Sequence, residues 1–134
     1  MSSWAKSLIK LSGFEVETLQ KRLAEIGDRK RQQEMRLGML DAQGYAEMAQ
    51  ADASSSGDLM RFLAALETRK AQVRAQIEII TAEEAGARDA LAQAFEEQKK
   101  YEHIAEQMRL AEVKKTAKLE AAAMDELGLR KAAG

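Results

Sequence analysis

One frame of alternating four- and three-residue steps runs through the second half of this chain without a slip. It reads Leu59, Leu63, Leu66, Lys70, Val73, Ile77, Ile80, Glu84, Ala87, Leu91, Ala94, Gln98, Tyr101, Ala105, Met108, Glu112, Lys115, Leu119, Ala122. Fourteen of these nineteen positions are apolar. A helix completes a turn every 3.6 residues or so, so such steps gather the apolar side chains into one stripe. A stripe held in one frame for this long selects a coiled coil over a strand or a globular bundle helix.

A second frame precedes it: Ile9, Ser12, Val16, Leu19, Leu23, Ile26, Lys30, Gln33, Leu37, Leu40, Gly44. It is apolar at both ends and polar in the middle. Between the two frames lies Ala53-Ser54-Ser55-Ser56-Gly57-Asp58, the loop-forming cluster in mid-chain. Asp58 is the expected N-cap of the second helix, with Ser56 as the next candidate. The expected fold is all-α: a long antiparallel two-helix coiled-coil hairpin with helix 2 overhanging helix 1. Residues 1–134 form a single coiled-coil domain, with helix 1 about 3–52, the turn about 53–58 and helix 2 about 59–131. The helices would be about 75 Å and 105 Å long.

Composition agrees with long helices. Only 4% of the residues are aromatic and none is proline, against 46% hydrophobic and 32% charged. A compact domain of this size carries more aromatic bulk and some proline in its turns. Gly13, Gly27, Gly38 and Gly44 each weaken helix 1 by about 1 kcal/mol relative to alanine, so bending or fraying is expected at some of them. Helix 2 has only Gly86 before Gly128 and should be the stiffer.

A turn near residue 55 makes the numbers of facing residues sum to about 111. Arg29-Lys30-Arg31 then falls close to Glu83 and Glu84, and Asp41 falls opposite Lys70. Met48 and Tyr45 meet Leu63 and Leu66. Polar seam residues of the two helices thus face each other, as a register-setting device requires. Residues beyond about 110 have no partner in this register and should project as a single helix.

Several function classes are disfavoured. The absence of cysteine excludes disulfides and thiolate metal sites, and is compatible with a reducing cytoplasm. A net charge of −1 lacks the basic excess of a nucleic-acid binder. No apolar run approaches the roughly 18 residues that span a bilayer. The start of the chain lacks the continuous apolar core of a signal peptide. His103, the single histidine, takes an outward position beside Glu102 and Glu106 and reads as a solvated surface residue. No phosphate-cradling loop or nucleophile elbow occurs, and a two-helix chain offers no cavity for desolvating a reacting group. The chain is therefore read as a non-enzyme, with no cofactor, no metal and no small-molecule substrate.

Two apolar groups remain. Trp4, Leu8 and Leu11 share one face, with Lys6 and Lys10 on another. Packing against helix 2 is expected there; a membrane-surface helix and a partner anchor are the alternatives. Near the turn, Met39, Tyr45, Met48, Met60 and Phe62 cluster. Phe62 stands one residue outside the seam frame. An off-seam aromatic among adaptable methionines suits either a partner surface or a plug closing the hairpin.

Several motifs in order carry a resemblance: Phe14-x-Val16-x-x-Leu19, Met39-Leu40, Phe62-x-x-x-Leu66-Glu67, Glu96-Glu97-Gln98-Lys99-Lys100 and Met124-Asp125-Glu126-Leu127. Over nearly its whole length the chain resembles the FliJ family of the bacterial flagellar type III export apparatus. Family members often carry an aromatic near Gln43 and a polar or small residue near Arg69, so those positions depart from the pattern. The resemblance implies a stalk and adaptor, similar to the central coiled coil of rotary ATP synthases. Its implied partners are the export ATPase hexamer, the membrane protein of the export gate and the export chaperones. Carried over by position, Leu40, Phe62 and Leu66 would contact the gate, and Asp125 and Glu126 would lie toward the ATPase. The free chain is expected to be monomeric, in the cytoplasm and peripheral at the inner membrane. The alternatives are a structural scaffold, a self-assembling oligomer, or the equivalent stalk of an injectisome.

Overall fold

The computed structural model describes residues 3–133. Helix α1 spans Ser3–Gln50, a single 3-10 turn spans Ala53–Ser55, and helix α2 spans Ser56–Ala133. The turn is built by Asp52, whose Oδ1 accepts from the backbone N of Ser54 at 3.1 Å and from its Oγ at 2.7 Å. A short acidic side chain that takes local donors in this way competes with helix continuation. The amide of Ala51 donates to the carbonyl of Met48 at 3.4 Å and closes the end of α1. Because α2 starts at Ser56, Asp58 sits inside the first helical turn and not at the cap. There its carboxylate suits the positive end of the helix dipole and pairs with Arg61 at 2.7 Å.

Helix α1 runs unbroken through Gly13, Gly27, Gly38 and Gly44, and no described glycine has a positive φ. The expected fraying is absent, because the frame residues between these glycines are packed in the seam and hold the helix as a whole. A glycine's propensity cost of about 1 kcal/mol is easily outweighed by burial on one face. At Gly44 the missing side chain is used: a β-carbon there would meet Leu66 Cδ2 at 2.9 Å.

Two compact units make up the chain: Thr18–Leu91, and the start of α1 up to Glu17 with α2 from Ala92 onward. In the first, the two helices pack antiparallel from the turn. Its interior holds Ile26, Leu66, Val73, Ile80 and Ala87, with Leu23 packed against Ile26, Ile80 and Ala87. In the second, the buried residues are smaller: Ala5, Ser12, Val16, Ala94 and Ala105. The Ser12 hydroxyl is satisfied there by donating to the Ile9 carbonyl at 2.9 Å.

Every frame position of α1 from Ile9 to Gly44, and of α2 from Leu59 to Met108, is buried or half-buried. Leu66, Val73, Ile80, Ala87 and Ala94 follow one another at intervals of one heptad, and all are buried. The frame therefore marks the seam. Beyond Met108 every described residue to Ala133 is exposed, so the end of α2 has no partner helix. Among the described residues no helix is long and apolar enough to cross a membrane.

Candidate partner-binding surfaces

Three ion pairs between α1 and α2 fix how the helices meet in the unit that holds the turn. Lys70 Nζ lies 2.8 Å from Asp41 Oδ1. Lys30 Nζ lies 3.5 Å from Glu84 Oε1, and Arg29 Nη1 lies 3.1 Å from Glu83 Oε1. Arg31, the third cation of that basic stretch, pairs with Asp28 along its own helix instead. The hydrogen bond to Asp41 raises the Lys70 pKa above the usual lysine range, and the negative charges of Asp41 and Glu67 add to the shift. Lys70 and Glu84 are frame residues, so each places an ionic group in an otherwise apolar stripe. One-residue slips of the hairpin would leave these groups unpaired, which makes them register pins.

The residues around the turn divide between the two flanks of the seam. On one flank Phe62 and Leu59 line a groove of about 400 Å³ with Glu47, Gln50, Ala51 and Asp58. On the other, Tyr45 and Met48 line a groove of about 300 Å³ with Leu63, Leu66, Asp41 and Lys70. Phe62 is half-buried, whereas Tyr45 is 73% exposed, and Met39, Met48 and Met60 are exposed. The turn near residue 55 and the register it sets predict the meeting of Tyr45 and Met48 with Leu63 and Leu66. They did not reveal that Phe62 faces a separate groove.

The residues carried over by resemblance therefore occupy different settings. Leu40 is half-buried in the seam. Leu66 is 2% exposed and seated on Gly44, so its side chain is spent on holding the helices together beneath the second groove. Phe62 alone of the three lies outside the frame, with part of its ring open to a groove.

The unpartnered end of α2 carries Asp125 and Glu126, both exposed. Glu126 Oε1 accepts from Arg130 Nη2 at 3.0 Å, one turn further on. Leu110, Val113, Leu119, Met124, Leu127 and Leu129 are exposed along the same segment. Leu119 and Leu129 continue the seam frame, while Leu110, Val113, Met124 and Leu127 lie off it. A helix with apolar residues on more than one face suits a binding partner that touches it from more than one side. Nearer the paired region Glu106 accepts from Arg109 Nη2 at 2.7 Å. That bond holds the Glu106 carboxyl below the usual carboxylate range and raises the Arg109 guanidinium correspondingly. His103, in the same stretch, is exposed.

At the start of α1 the expected packing of Trp4 and Leu11 on helix 2 does not occur. Trp4 is 53% exposed and Leu11 63%, with Leu8 half-buried. Ala5, Ile9 and Ser12 take the seam positions instead. They are the same frame carried back from Val16.

With this geometry established, comparison with known proteins gives one family. The family model described as "Flagellar FliJ protein" matches residues 6–134. Two relatives from strains of Caulobacter vibrioides, each named Flagellar FliJ protein, are 50% identical to this chain over 135 residues. Those matches cover 99% of this chain and 97% of each relative. No solved structure matches.

Proposed function

The chain belongs to the flagellar FliJ protein family, and from that premise we propose that it is a non-enzymatic stalk and adaptor of the flagellar type III export apparatus. In this reading it links the export ATPase ring to the export gate and to chaperone-bound substrates. It is monomeric when free, and it works in the cytoplasm at the inner face of the membrane.

One observation supports the reading: one unit has grooves beside the turn, and the other has a stretch of helix with no partner. Near the turn, grooves on both flanks present Phe62 on one side and Tyr45 with Met48 on the other. In the other unit, α2 continues past Met108 to Ala133 with every residue exposed. The first surface is suited to the gate. Phe62 serves as its aromatic anchor, with Leu40 and Leu66 as the packed support beneath. The second is suited to the ATPase, with Asp125 and Glu126 among its outward charges. Contacts made by exposed charges weaken as salt rises.

Purified chain titrated into its cognate export ATPase tests this. ATP hydrolysis should rise saturably, and the rise should shrink with added salt. The variant Asp125→Lys/Glu126→Lys should need more protein for the same effect. No binding and no stimulation at any salt concentration would contradict the stalk role.

A further inference from the structure

Most of the chain's arginines have a carboxylate within reach along their own helix. Of its ten, only Arg36 and Arg69 have no acidic residue three or four positions away. Arg61 uses that spacing to pair with Asp58, and Arg88 uses it to pair with Glu84. Pairing across the seam fails Arg36 and Arg69 as well. Arg29 meets Glu83 at 3.1 Å. One heptad further toward the turn the same two positions hold Arg36 and Gln76, and a heptad beyond that they hold Gln43 and Arg69. An amide thus stands twice where a carboxylate would complete the series. Among the described residues neither Arg36 nor Arg69 takes part in an ion pair.

These two arginines line one groove of about 330 Å³, together with Gln33, Gln72 and Gln76 and the buried Val73. A guanidinium stays charged at any physiological pH and offers five N–H donors in a planar fork that fits a carboxylate. We propose that this groove docks an acidic polypeptide segment of a partner protein, with Arg36 and Arg69 each binding a carboxylate.

Two features favour a polypeptide over a compact anion. The glutamines offer carbonyl acceptors as well as N–H donors, which match polar side chains and the free N–H groups of a helix's first turn; a phosphate has few donors to give them. The two arginine positions are also offset by one heptad along the seam, about 10 Å of helix rise. Acidic residues seven apart on a helix share a face and would span that offset. The groove lies on the flank that carries Phe62, but the proposal does not depend on what Phe62 binds.

The test is fluorescence anisotropy with the full chain and a labelled helical 12-residue peptide carrying glutamates seven residues apart. Saturable binding is expected, weakening with salt, and at least tenfold weaker for the matching glutamine peptide. Arg36→Gln/Arg69→Gln should weaken binding at least tenfold, Arg36→Lys/Arg69→Lys should lose less, and Arg22→Gln should change nothing. The helical circular dichroism of all variants should match wild type, since neither arginine holds an ion pair. Absence of saturable binding, or equal binding by the double glutamine variant, would overturn the proposal. Displacement by inorganic phosphate as effective as by unlabelled peptide at equal concentration would overturn it in favour of a phosphate site.

Discussion

Gly44 lies so close beneath Leu66 that a β-carbon on it would come within 2.9 Å of the leucine Cδ2. Gly38, less than two turns earlier on the same helix, has open space where its side chain would be. The same substitution should therefore have opposite signs at the two sites. Gly38→Ala should stabilise the chain by about 0.5–1 kcal/mol, the difference in helix propensity. Gly44→Ala should destabilise it, because the added β-carbon would force the buried Leu66 out of its packed position. Urea unfolding followed by circular dichroism measures both, and equal gains at the two sites would refute the close approach.

The interior of the hairpin should be energetically unlike the unpartnered end of α2. Ile80 is buried against Ile26, so Ile80→Ala should cost about 2–5 kcal/mol. Leu119 continues the same frame but is exposed, and Leu119→Ala should stay within about 0.5 kcal/mol. The pair of values separates frame residues that have a partner from those that have none.

That contrast shows what was legible in the sequence. The frame located the seam, because a step of three or four residues is the physical condition for sharing a helix face. Combined with the turn, it placed Lys70 opposite Asp41 and Arg29 beside Glu83. The frame does not state depth, so it does not separate buried Leu66 from its half-buried frame neighbour Leu63. Nor did helix propensity foresee that α1 passes intact through its glycines, since propensity is a local quantity and the packing of Leu66 on Gly44 is not. Asp58 suits a cap by residue type, yet α2 starts at Ser56 and takes Asp58 into its first turn. The face of Trp4, Leu8 and Leu11 is expected to pack against helix 2, but the frame, carried back toward the start of the helix, gives that place to Ala5.

The ion pair of Lys70 with Asp41 sets a pH dependence with a definite sign. Lys70 has a raised pKa in the folded chain, so folding favours its protonated form. Its contribution is fully present below the unfolded lysine's pKa and is lost as pH rises through the folded value. Glu106 has a lowered pKa, so its contribution is present above the usual carboxylate range and fades as pH falls through the folded value. Wild type should lose more stability than Asp41→Asn between neutral and strongly alkaline pH, and the two curves should converge at the alkaline end. Parallel curves would mean that Lys70 gains nothing from Asp41.

Phe62→Ala should leave helicity unchanged, because Phe62 lies outside the seam frame. It should weaken binding to the cytoplasmic part of the export gate about tenfold, the loss typical of an interface anchor. Leu66→Ala should lower both stability and binding, since it removes the support beneath the second groove. Isothermal titration of the two variants beside their unfolding curves separates these effects.

The claim that the chain links two machines is tested most directly by site-specific photo-crosslinking in living cells, with the reactive group at Phe62 in one strain and at the exposed Leu127 in another. The result expected is two different products: the gate protein at Phe62 and the export ATPase at Leu127. The same partner at both positions, or only a second copy of this chain at each, would contradict the link.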